Sequence, residues 1–240
     1  MSEHTARSPY ARRRFLARLS AVAAALGFGA SAARAQTPTA PATPPPTDAR
    51  FQPPRHAQDD WFDQIPGKHR LFLDSVSAQG AGDAILYANN FMSASKTAYG
   101  LDDADAAIVL CLRHNATAAA FPDSIWAKYG VTITEETRFM EPKTGQPPTI
   151  NVYRSTAYGT ALGNRGVTID SVTKRGVQIA VCTLSTRLLS SLIARKTGST
   201  MDEVFKELVA SLLPNCRMVP AGIVAGSRAQ ERGYTVTYVG

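Results

Sequence analysis

The stretch RGVQIAVCTLSTR, residues 175–187, sets the pattern from which the fold can be read. Residues 177–182 are apolar apart from Gln178 and end in a thiol, Cys182. A small polar turn follows. Then comes LLSSLI, which puts Leu188, Leu189, Leu192 and Ile193 on one face of a helix expected over residues 186–196. A short apolar run feeding an amphipathic helix is a strand–helix unit. AAIVLCL, residues 106–112, is a second such run, apolar throughout, as expected of a strand covered on both faces.

Outward from these two runs the pattern repeats. KHRLFLD (68–74) predicts a strand. A helix follows over 83–99, capped by Asp83 and ended by Gly100. A short helix is expected over 122–129, with Pro122 in its first turn and Gly130 closing it. Residues 131–163 break the pattern; their turn-forming run EPKTGQPP marks an excursion that would serve as a lid or an interface element. A helix is expected over 164–175. Met201, Val204, Phe205, Leu208, Val209, Leu212 and Leu213 recur at helical spacing, behind a capping box of Thr200 and Glu203. A strand at 217–219, a helix at 220–232 ended by Gly233, and a strand at 235–239 complete the chain. Strands alternating with helices imply an α/β fold with a mostly parallel sheet and helices on both faces.

Charge and the first 64 residues bear on location. The chain has 240 residues and a formal charge of +7. Six arginines and one glutamate lie in residues 1–35; the remainder carries only about +2. No basic stripe interleaves with aromatics, so a nucleic-acid partner is not expected. ARRRFL (11–16), an apolar run over 19–28 and Ala33-Arg34-Ala35 resemble a twin-arginine export signal with its cleavage site. The apolar run is shorter than a bilayer span, which takes roughly 20 residues. The expected location is therefore the periplasm, without stable membrane insertion after processing. Residues 36–64 begin with a proline-rich stretch and are expected to be a tether, with the folded domain over 65–240.

In parallel α/β folds, ligands gather at the carboxyl ends of the strands. Asp74 follows the first strand, and Arg113, His114 and Asn115 the second. Cys182 ends the third, with Thr183 and Ser185 just beyond. Cys182 precedes a helix start, where free N–H groups and the dipole stabilise a thiolate. Arg113 or His114 nearby would add to this, with Asp74, Asn115, Thr183 and Ser185 as ligand-binding candidates. The opposing reading stands beside it: free cysteine is among the most buried residue types. Cys111 is expected in the core. Cys216 is expected in the core or paired with Cys182. There is no CxxC, no phosphate-binding glycine motif and no hydrolase motif. Cys182 and His114 alone make a weak copper or zinc set, and no metal or cofactor is expected. Asn89 and Asn90 lie mid-helix, one expected in solvent and the other left open.

The run RGVQIAVC, a following helix, and MVPAGIVAGSRAQERGYTVTYV resemble the DsrE/DsrF-like family of sulfur-relay proteins. The resemblance covers about residues 68–239. It implies a three-layer α/β/α sandwich with a five-stranded sheet and a homo-oligomer. It also implies that Cys182 carries sulfur as a persulfide, exchanged with a donor or acceptor protein or a small sulfane-sulfur compound. Two alternatives remain at this point. One is a non-catalytic periplasmic protein binding a small ligand or metal at the strand ends. The other is an oligomeric interaction module whose cysteine is core.

Overall fold

Five parallel strands form one sheet in the order β4-β3-β2-β1-β5. They are β1 (His69–Ser75), β2 (Ala106–Leu112), β3 (Gln178–Cys182), β4 (Cys216–Val219) and β5 (Thr235–Val239). The computed structural model describes residues 52–240, which make up one compact unit. The export signal and the start of the proline-rich stretch lie outside the described residues. The helices are α1 (Trp61–Gln64), α2 (Ala78–Tyr99), α3 (Asp123–Thr137), α4 (Ile169–Lys174), α5 (Thr183–Thr197), α6 (Met201–Ala210) and α7 (Gly222–Gln230). The protein is a three-layer α/β/α sandwich, and its sheet is parallel throughout.

Strand order fixes which helix covers which face. From β1 to β4 the chain steps in one direction across the sheet, and only the return to β5 reverses it. Right-handed crossovers therefore place the β1–β4 connections on one face and α7 on the other. The core divides accordingly. Leu71, Leu73, Ile108, Leu110, Ile179 and Val181 pack with α2, α4 and the turn at residues 114–120. Phe72, Val109, Cys111 and Ala180 pack with Ala225 and Ala229 of α7. A third cluster joins α3, α5 and α6 through Trp126, Ile133, Ile193 and Leu208.

One helix cannot cover the second face. The remainder is filled by the last residues of the expected tether, so that boundary is corrected. Trp61, Phe62 and Ile65 are buried there. Arg232, whose side chain has no exposed surface, faces Asp63 at 3.3 Å and Asp60 at 3.7 Å. Arg70 and Tyr234 donate to the Phe62 carbonyl at 3.2 and 2.7 Å. The folded body thus begins well before residue 65.

Several expected bounds shift for local reasons. α2 starts at Ala78 rather than Asp83, because Ser77 caps it by accepting from the Gly80 N–H. α3 runs through Gly130 to Thr137. The helix expected over 164–175 shrinks to α4, whose cap is Thr168. α6 stops at Ala210, short of Pro214. The excursion is part of the first-face core. Asn151 Nδ2 donates to the carbonyls of Ala119 and Phe121 at 2.9 and 2.8 Å. Val152 and Tyr153 are buried, and the Tyr153 hydroxyl donates to the Ala78 carbonyl.

Candidate functional site

Ligand crevices in parallel sheets open where neighbouring strands send the chain to opposite faces. Here that point lies between β3 and β4. After β3 the chain enters α5, which packs with α3. After β4 it enters α7, on the second face. Cys182 therefore stands on one side of the crevice and Gly222 on the other.

Cys182 is the N-cap of α5, and its Sγ accepts from the Ser185 N–H at 3.5 Å. The residue is only 4% exposed. Strand alternation puts Cys182 on the second face with Ala180, and Cys111 of β2 shares that face, in register with Ala180. Asp74 lies beside Cys111 in register, with Tyr238 on its other side. Arg113 closes the group: its Nε and Nη2 donate to the two Asp74 carboxylate oxygens at 2.7 and 2.9 Å. That bidentate bond holds the guanidinium still more firmly in its charged form.

Gly222 explains how α7 closes on this group. A Cβ there would lie 2.9 Å from Cys111 Sγ and 2.6 Å from Arg113 Cδ. Without one, the start of α7 settles over both side chains. Ala221, the α7 N-cap, offers no side-chain acceptor, so the first N–H groups of α7 have no side-chain cap.

The expected site residues thus divide. Asp74, Arg113 and Cys182 come together on the second face. Arg113 is engaged by Asp74 rather than by the thiol. Thr183 is the first residue of α5. His114 turns away; its backbone N–H donates to Ser185 Oγ at 2.7 Å. His114, Asn115 and Ser185 line a separate cavity with Glu136 and Leu188, about 20 Å³ in volume, and Cys182 is not among its walls. That is room for about one water-sized group. Asn115 donates its backbone N–H to the Val76 carbonyl at 3.0 Å.

Cys111 is fully buried in the second-face core, as expected, and both it and Tyr238 lie beside Asp74. Only register places them beside Asp74, and register is not written in either strand's own sequence. A Cys182–Cys216 disulfide is ruled out. Cys216 is in register with Ile179, three residues below Cys182. At about 3.3 Å per residue that is roughly 10 Å along the strand, beyond bridging range. All three cysteines are free. Among the described residues no three His, Cys, Asp or Glu side chains converge on a metal position. Asn89 accepts from Arg175 Nη1 at 2.8 Å in a structural network with Asp103, and Asn90 is exposed.

Fold and crevice define the class: a parallel five-stranded α/β/α protein with a thiol as helix N-cap where neighbouring strands send the chain to opposite faces. No family model, no curated protein and no solved structure matches the chain.

Proposed function

We propose that this chain is an exported thiol protein that carries sulfane sulfur on Cys182, as its resemblance to DsrE/DsrF-like relays implies. The observation that carries the reading is the position of Cys182 Sγ as acceptor at the N-terminus of α5, at the β3–β4 crevice. A helix N-terminus favours an anion, and a thiolate or persulfide there is one. Loading by polysulfide balances simply. The Cys182 thiolate attacks a terminal sulfur, one S–S bond forms and one breaks, and a polysulfide one sulfur shorter departs with the displaced negative charge. Arg113 Nη1, which Asp74 does not use, and the uncapped start of α7 are available to an anionic donor at the rim. The proposal includes the expected periplasmic location, a homo-oligomeric assembly, and a donor that is a protein or a small sulfane-sulfur compound.

A second reading is favoured by the near-complete burial of Cys182: an interaction module in which this cysteine is core. Intact mass decides between them. After treatment with polysulfide, the wild-type chain should gain one or more sulfur atoms, and Cys182→Ser should gain none while keeping its melting temperature. A wild-type chain that gains no sulfur, with Cys182 deaf to alkylating reagent, would establish the core reading.

The three thiols should also differ in reactivity. Burial pushes the Cys111 thiol well up and the Cys216 thiol up to about 12. Both are raised, so both stay protonated at pH 8, where only a thiolate reacts. Alkylation of the folded chain at pH 8, followed by peptide mapping, should label Cys182 alone. Label on Cys111 or Cys216 at comparable rates would show that the fold does not select Cys182.

A further inference from the structure

One serine ties the ends of β2 and β3 together. Ser185 sits in the first turn of α5, and its N–H donates to Cys182 Sγ at 3.5 Å. Its hydroxyl oxygen accepts from the His114 N–H at 2.7 Å. His114 has φ +52°, in the left-handed region that side chains with a Cβ rarely adopt. Its neighbours hold it there. The Arg113 N–H donates to the Ser75 carbonyl at 3.1 Å, and the Asn115 N–H donates to the Val76 carbonyl at 3.0 Å. Turned this way, His114 aims its N–H at Ser185.

We infer that Ser185 is a positioning residue for Cys182, and that residue 114 acts on the thiol through its backbone N–H and Ser185, not through its imidazole. The inference rests on the sulfur-carrier reading. The hydroxyl bond fixes the first turn of α5, and that turn aims the Ser185 N–H at the sulfur. Without the bond the first turn frays and the sulfur loses a donor. The titratable groups that share the second face with the thiol are Cys111 of β2 and, beyond it, the Asp74–Arg113 pair. Substitutions at 114 and 185 leave them in place.

The test is the rate of Cys182 alkylation by iodoacetamide in the full chain, read by peptide mass, beside polysulfide loading. Ser185→Ala should slow the reaction about fivefold, the loss expected for one hydrogen bond to the sulfur. Ser185→Thr, which keeps the hydroxyl, should restore it. His114→Val should slow it as Ser185→Ala does, because a β-branched residue resists positive φ. His114→Gly, which adopts that φ freely, should not. Thermal melts establish that each variant is folded, and the valine–glycine contrast serves if Ser185→Ala does not fold.

The outcomes separate. If wild-type Cys182 neither alkylates nor loads, the carrier reading fails and takes the inference with it. If it loads, and Ser185→Ala and His114→Val react at the wild-type rate, the positioning role is overturned while the carrier stands. If His114→Gly falls as far as His114→Val, the imidazole is the active group and the inference is wrong.

Discussion

Phe62→Ala should destabilise the protein by about 3–5 kcal/mol, the range for deleting a fully buried aromatic ring. Phe62 has no exposed surface. Its ring stacks on Trp61 at 3.9 Å between centroids and meets the Tyr234 ring edge-on at 5.5 Å. Its carbonyl accepts from both Arg70 and Tyr234, so the backbone cannot easily move in to fill the space. In a body of this size the loss corresponds to roughly 6–20 °C in melting temperature. Thermal or urea unfolding measures it. Deleting residues 36–54 should leave the melting temperature unchanged, since among the described residues burial on this face begins at Asp59. An unaltered melt for Phe62→Ala would show that α1 does not belong to the core. A drop after the 36–54 deletion would show that the body extends still further back.

Gly130→Ala should destabilise as well, against the sign that helix propensity gives. In an exposed helix interior, alanine is better than glycine by about 1 kcal/mol. At residue 130, however, an added Cβ would lie 2.0 Å from the Pro148 carbonyl oxygen. That is a backbone atom of the excursion, and Asn151 pins the chain just beyond it through its bonds to Ala119 and Phe121. Relief requires a shift of the excursion or of α3. The net loss should be about 1–3 kcal/mol, as for overpacking elsewhere. Equilibrium unfolding gives the sign directly, and a gain of stability would mean that Pro148 does not rest on the helix.

Gly130 also shows where local reading stops. Its place after an apolar helix pattern is what a helix terminator looks like, because glycine is common just past helix ends. The residue is instead a contact point inside α3, chosen by a segment eighteen positions further along the chain. Asn151 is similar. An asparagine in a loop suggests a turn, but its side chain ties the excursion to the end of another element. The tether boundary shifted for the same kind of reason. The strand order leaves the second face short of one helix, and Trp61 and Phe62 fill the gap.

Within the site, Cys182 at the end of β3 and before a helix could be read directly, because both periodicities are local. So could Asp74 and Arg113 at strand ends. Their pairing could not, since it depends on β1 and β2 lying side by side in a register that aligns Asp74 with Cys111. The placement of His114 was equally hidden. An imidazole next to a predicted site invites an electrostatic role, whereas the fold gives its backbone N–H to Ser185.

The alternation of strands and helices, an α/β class with a mostly parallel sheet, and a thiol at a strand end were legible in the sequence alone. Those follow from hydrophobic periodicity and capping residues, which act over a few positions. Long-range packing settled which faces the strand ends share, that Arg113 answers to Asp74, that Cys182 cannot reach Cys216, and that residues before 65 complete the core. Those depend on strand order and register, which come from packing elements far apart in the chain, and no short window of sequence contains them.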